Sequence, residues 1–157
     1  MQTASNASSG VLPAIVWGGF VAGTIDIGAA AIITQLSPIA IMKIVAGGLL
    51  GRSAFAGGAS IAALGMVLQW AMSLVIAAVF VIAARRLPGL TRRWIASGLA
   101  YGVVVYLVMN YVVVPLSALG KGSFPPFDPV KSSENMVAML LFGLIVAFFA
   151  QRFLRRD

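Results

Sequence analysis

Four long runs of almost uninterrupted apolar residues constrain this chain more than any other feature. They cover about residues 11–33, 59–84, 94–118 and 131–151. At about 1.5 Å of rise per residue, 18 or more apolar residues cross a hydrocarbon core of roughly 30 Å as a helix. Only 10% of the residues are charged, against roughly 25% in an ordinary soluble domain. We therefore predict an all-α membrane protein with four transmembrane helices, forming a single transmembrane domain over residues 1–157.

A fifth apolar segment, about residues 38–50, is too short to cross. Ser37 followed by Pro38 is typical of a helix start, a capping residue before proline at the first helical position. Twelve or so helical residues reach only about 18 Å. We predict a short re-entrant or interfacial helix on the outer face. The pair Asp128 and Pro129 has the same pattern and predicts the start of the last span.

The basic residues gather at helix ends and predict the orientation. One end carries seven arginines, in the loop "ARRLPGLTRRW" and near the C-terminus: Arg85, Arg86, Arg92, Arg93, Arg152, Arg155 and Arg156. The other end carries Lys43, Arg52, Lys121 and Lys131, the last two diluted by Asp128 and Glu134. The positive-inside rule then puts both termini in the cytoplasm. The net charge of +7 does not indicate nucleic-acid binding, because the arginines do not form a soluble basic face with interleaved aromatic residues.

The first apolar run contains one carboxylate, in "GTIDIGAAAI". An ionised side chain near the bilayer centre costs about 2.5 to 3.5 kcal/mol before pairing, so Asp26 should face the bundle interior with a partner. We expect that partner to be Lys43 or Arg52. Gln69, Asn110 and two tyrosines, Tyr106 and Tyr111, are candidates to complete a polar network.

Two interpretations of Asp26 remain open. In the first, it is a structural clasp that fixes the short outer segment against the first helix. In the second, it is a proton or cation site in a transport path. Transporters usually show repeated halves and several polar residues along a route, and one acid without a repeat favours the clasp.

The residue inventory limits catalysis and cofactors. The chain has no Cys and no His, which excludes disulfides, thiol chemistry and histidine ligation of haem or zinc. It has no nucleophile elbow and no phosphate loop. We predict no enzyme, no metal and no cofactor, apart from contact with lipid or a quinone.

Small residues recur at the spacing that lets helices approach closely in lipid. The pairs are Gly19 with Gly23, Gly47 with Gly51, and Gly98 with Gly102. We predict that they seat helices within the chain. Pro115 should kink or loosen the end of the third span, because it removes the backbone bond to Tyr111.

Three stretches carry a resemblance to a known family: "VAGGLLGRSAFAGG", "ALGMVLQWAMSLVIAAVFVIAARRLP" and "GLAYGVVVYLVMNYVVVPLSAL". The chain resembles small uncharacterised bacterial four-helix inner-membrane proteins, distantly YagU-like, over about residues 12–151. The resemblance implies a bacterial inner-membrane location and no known reaction. Its relatives often have His where this chain has Gln69, and another early in the last helix near Asn135 or Met139. A role that depends on those histidines does not carry over to this chain.

From these features we expect a non-enzymatic integral membrane protein. Its role would be that of a structural or accessory subunit, packing against a larger membrane complex or against itself. The alternative is a small transporter or channel in which Asp26 binds a proton or cation.

Overall fold

A computed structural model describes residues 10–124 and 128–154, and these residues form helices and turns without any β-strand. Six helices are labelled in chain order: α1 Val11–Thr34, α2 Pro38–Leu50, α3 Ala59–Arg86, α4 Gly89–Arg92, α5 Trp94–Leu116 and α6 Pro129–Leu154. A 3-10 helix, Gly51–Ala56, follows α2. The prediction of an all-helical chain is confirmed.

Five of the described helices are long and apolar enough to cross a membrane. Four of them are α1, α3, α5 and α6, which match the four predicted runs. The fifth is Pro38–Ala56, which joins α2 to the 3-10 helix. It differs from the predicted short helix because the 3-10 residues extend it. Gly51 interrupts this segment, since its φ of 69° lies in the left-handed region where an α-helix ends.

The two predicted cap-plus-proline starts are observed. The Ser37 side chain accepts a hydrogen bond from the Ala40 amide at 3.3 Å at the start of α2. The Asp128 carboxylate accepts from the amides of Val130 and Lys131, at 3.0 and 3.2 Å, at the start of α6. Both side chains satisfy amides that have no partner within the first turn.

Close approach between helix backbones organises the bundle. Along α1, Gly19 lies against Leu74 and Gly23 lies against Ser73. Residue numbers rise along α1 as they fall along α3, so the two helices are antiparallel. A Cβ added at Gly19 would lie 2.9 Å from the Leu74 Cα, which shows how little room a larger residue would have.

Helices α5 and α6 cross in the same manner. Gly98 lies against Leu144 and Gly102 against Leu140, again in antiparallel order. Gly143 of α6 faces both glycines of α5, so this crossing has glycine on both helices. The apolar core lies where α1, α3 and α6 meet, with Tyr101 and Trp94 of α5 packed against it. Its fully buried members include Ala14, Ala77, Val81, Val146 and Ala147.

The third predicted glycine pair has two different roles. Gly47 lies against the Leu119 side chain, in the turn after α5, and Gly51 forms the C-cap of α2. The pair therefore does not seat one helix on another, because Gly51 has already left the helix. The same contact region holds a backbone hydrogen bond, in which the Ala118 amide donates to the Gly48 carbonyl at 2.8 Å. The C-terminal end of α2 is thereby fixed beside the C-terminal end of α5.

Helix α5 is distorted near its end, as the proline predicts. Residues Met109–Val113 form a π-helical turn that ends one residue before Pro115. A proline here cannot donate to the preceding turn, and the wider turn accommodates the missing bond.

Candidate functional site

The centre of the candidate site is a hydrogen bond between α1 and α3. The Gln69 Nε2 donates to the Asp26 Oδ2 at 2.9 Å. Gln69 is 5% exposed and Asp26 is half-buried. The polar pair thus lies within the seam between two helices rather than on the outer perimeter.

Helical spacing explains why these side chains meet. Gly19, Gly23 and Asp26 follow one another at three- and four-residue intervals and share one face of α1. Gln69 and Ser73 are four residues apart and share one face of α3. The glycines bring the helices close, and the amide of Gln69 then reaches the carboxylate.

Three further polar side chains complete this seam. The Ser73 hydroxyl donates to the Gln69 backbone carbonyl at 2.8 Å and lies beside Gly23. The Trp70 Nε1 donates to the Thr24 Oγ1 at 3.3 Å. Sequence reasoning missed Ser73 and the Thr24–Trp70 bond. The four-residue spacing of Gln69 and Ser73 was the available indication.

The expected cationic partner of Asp26 is not observed. Within residues 10–124 and 128–154, the side-chain partner of Asp26 is Gln69, and neither Lys43 nor Arg52 forms a salt bridge with it. The reason lies in α2, whose buried face presents Ile41 and Met42 to the apolar side chain of Ile27. Lys43 follows about 100° further around the helix. Arg52 lies beyond the break at Gly51 and is exposed.

Asn110 also lies apart from Asp26. Its Nδ2 donates to the Tyr106 carbonyl at 2.9 Å, and its Oδ1 accepts from the Asn135 Nδ2 at 3.3 Å. The two asparagines form a second polar contact, between α5 and α6, at the π-helical turn of Met109–Val113. The sequence separated these residues by 25 positions and gave no indication that they would meet.

The chemistry available at the seam is hydrogen bonding and the binding of a proton or cation by one carboxylate. The described residues contain no group of three or more acidic, histidine or cysteine side chains that could hold a metal ion. Catalysis by paired acid and base groups requires a second titratable partner within hydrogen-bonding reach, and the observed partner of Asp26 is an amide.

The predicted topology arginines lie together at one end of the bundle. Arg85 and Arg86 end α3, Arg92 ends α4, Arg93 follows it, and Arg152 lies in the last turn of α6. Arg155 and Arg156 lie outside the described residues.

No protein-family model, curated protein or solved structure matches this chain. The resemblance to YagU-like proteins therefore stays a prediction.

Proposed function

We propose that this chain is a non-enzymatic integral membrane protein of the bacterial inner membrane. Its role is that of a structural or accessory subunit, packing against a larger membrane complex or another copy of itself. Helices α1, α3, α5 and α6 span the bilayer, and α2 lies at the outer face. The observation that carries the proposal is the position of Asp26, whose hydrogen bond to Gln69 closes the α1–α3 seam.

Chain geometry supports a non-spanning α2. Three residues separate Thr34 from Pro38, so their Cα atoms are at most about 14 Å apart even when the chain is extended. Near the other end of α2, the Gly48 carbonyl accepts a hydrogen bond from the Ala118 amide, just after α5 ends. Both ends of α2 therefore belong to the same end of the bundle, at which α1 and α5 finish.

A labelling experiment tests this topology. The chain has no native cysteine, so single cysteines at Leu36, Ser60 and Leu87 can be labelled selectively in intact membranes. We expect the first two to react with an impermeant maleimide from one side and the third only from the other. Labelling of Leu36→Cys and Ser60→Cys from opposite sides would make Pro38–Ala56 a fifth span.

Charge supports the orientation. Arg85, Arg86, Arg92, Arg93 and Arg152 lie at one end of the bundle, and the positive-inside rule assigns such an end to the cytoplasm. The opposite end has basic residues mixed with Asp128 and Glu134. Both termini are then cytoplasmic.

The polar contacts of Asp26 support a structural role. In lipid there is little hydrophobic drive between helices, so close backbone approach and interhelical hydrogen bonds hold a bundle. Asp26 provides such a bond beside Gly19 and Gly23, where α1 lies close to α3. Two grooves on the bundle surface are lined by residues between 79 and 104, and Asp26 lines neither of these two.

The apolar perimeter fits a subunit that packs against lipid or another helix. On α1, Trp17, Ile25 and Ile32 are each about half exposed or more, at 55%, 47% and 73%. Large exposed apolar surfaces are typical of membrane or protein contacts.

Transport is the second candidate function, and one observation favours it. Asp26 has no salt bridge within the part of the chain that the structure describes. A carboxylate without a cationic neighbour inside a membrane can take up a proton or cation.

Reconstitution separates the two functions. Wild-type protein and Asp26→Asn would be placed in liposomes, and proton and sodium flux would be followed with trapped fluorescent dyes. We expect no flux above empty liposomes for either protein, together with co-purification of a partner or self-association in mild detergent. A flux that wild type carries and Asp26→Asn loses would replace the structural role with transport.

A further inference from the structure

A groove of about 400 Å³ lies between α3 and α5, further along α3 toward its arginine end than the Asp26 seam. Val79, Phe80 and Ala83 line it from α3, and Ala100, Tyr101 and Val104 line it from α5. Nearly all of its lining is apolar. The size lies within the range of small-molecule sites in proteins.

The groove has a tyrosine end and an arginine end. Near Tyr101, the hydroxyl donates to the Ile76 carbonyl at 2.7 Å and bridges the two helices. At the other end the lining includes Leu90 and Arg93. From Arg93 to Val104 the helix rises about 16 Å, which is close to half of a hydrocarbon core of roughly 30 Å. The groove therefore has the depth of one leaflet.

Positive charge is concentrated at the mouth. Arg93 also lines a second depression together with Arg92 and Trp94. Arg85 and Arg86 end α3 nearby, and all four arginines are exposed. Residues 79–104 contain no Asp or Glu, so no acid of this segment neutralises the mouth.

We propose that this groove is a binding site for an anionic glycerophospholipid. One acyl chain lies between α3 and α5, and the headgroup phosphate binds Arg93 and Arg92. Guanidinium groups bind phosphate through paired hydrogen bonds, and basic pockets between transmembrane helices on the cytoplasmic side bind anionic headgroups. This inference rests on the proposed insertion of α3 and α5 but not on the accessory role.

The charge favours a lipid over a second copy of the chain. Two copies in one membrane have the same orientation, so a copy seated here would bring its own arginines to the same depth. Like charges at that depth repel each other, whereas a phosphate compensates them.

Trp94 gives a local reporter for the test. The chain has three tryptophans, so Trp17→Phe with Trp70→Phe leaves Trp94 alone, and its circular dichroism and thermal transition would verify the fold. The protein would be reconstituted in phosphatidylcholine with increasing phosphatidylglycerol, with brominated acyl chains on one lipid or the other. Quenching of Trp94 then reports which lipid occupies the neighbouring groove.

We expect brominated phosphatidylglycerol to quench Trp94 at a mole fraction about five-fold lower than brominated phosphatidylcholine. Arg93→Gln should reduce this preference about five-fold. The matched control is Arg152→Gln, which removes an exposed arginine of α6 at the same end of the bundle and should leave the preference unchanged. Ala100→Phe, which fills the groove without changing charge, should also reduce it.

Three outcomes overturn the proposal. Equal quenching of Trp94 by the two lipids, in the reporter protein with an unaltered groove, means that no selective site exists. An equal loss in Arg152→Gln and Arg93→Gln means that diffuse surface charge attracts the lipid. A loss in Arg93→Gln with none in Ala100→Phe means that the headgroup binds without an acyl chain in the groove.

Discussion

Two successive stretches of α3 show opposite kinds of helix contact. Around Gln69 and Ser73, α3 meets α1 so closely that Ser73 lies against Gly23 and Gln69 reaches Asp26. Further along, from Val79 to Ala83, α3 and α5 are separated by a groove of about 400 Å³. Tyr101 spans that separation with a single hydrogen bond to Ile76.

Side-chain size explains the difference. The α1 face that meets α3 carries Gly19 and Gly23, which allow backbone approach. The facing surfaces of α3 and α5 carry Phe80, Tyr101 and Val104, whose bulk holds the helices apart. A sealed seam can fix the positions of polar groups, and an open groove can admit a lipid chain.

The largest expected effect comes from breaking the seam. A Cβ at Gly23 would collide with the Ser73 side chain, so Gly23→Leu should lower the free energy of unfolding in detergent by about 1 to 3 kcal/mol, or more if the helices separate. Gly28→Leu is the control on the same helix, since nothing lies within 4 Å of an added Cβ there. Equal losses for the two variants would show that the seam is not a close contact.

A double-mutant cycle measures the polar bond within the seam. Asp26→Ala, Gln69→Ala and the double variant should give a coupling energy of about 0.6 kcal/mol and at most about 1.7 kcal/mol, the average and the maximum for interhelical hydrogen bonds in a well-studied membrane protein. Asp26→Asn should cost less than Asp26→Ala, because the asparagine oxygen can still accept from Gln69. Additive losses in the cycle would mean that the two side chains do not interact in the folded protein.

The smallest effect is expected on the groove side. Ala100→Leu adds bulk to a residue that is exposed on α5, so the free energy of unfolding should change by no more than about 0.5 kcal/mol. The matched variant Gly102→Leu, on the α6-facing side of the same helix, should be destabilising by about 1 to 3 kcal/mol. A large loss for Ala100→Leu would indicate that the groove closes in the folded state.

Much of the fold was predictable because long uncharged apolar runs are compatible with few folded structures. Runs without charge, such as that of α3, must be helical where no water is available to the backbone. The cap-plus-proline pairs at Ser37 and Asp128 marked two helix starts through local chemistry alone. Pro115 marked the distortion at the end of α5 for the same reason.

The candidate site was less predictable. Asp26 was identified by the free-energy cost of placing an ionised side chain in a membrane-spanning segment, and Gln69 was among its suggested partners. The expectation of a charged partner followed from the rule that buried charges are paired. The local sequence of α2, however, does not show which of its faces turns inward. Met42 occupies that face, and Lys43 does not reach the carboxylate.

The sequence by itself determined the helices, their approximate ends and the concentration of arginine at one end, because each depends on neighbouring residues and on the solvent. Only the tertiary structure decided which helices touch, which polar side chains meet and which gap stays open. Gln69 meets Asp26 and Asn110 meets Asn135 across distances set by the rotation of whole helices. The rotation of each helix depends on how small and large side chains pack on all of its faces, and therefore on the whole bundle.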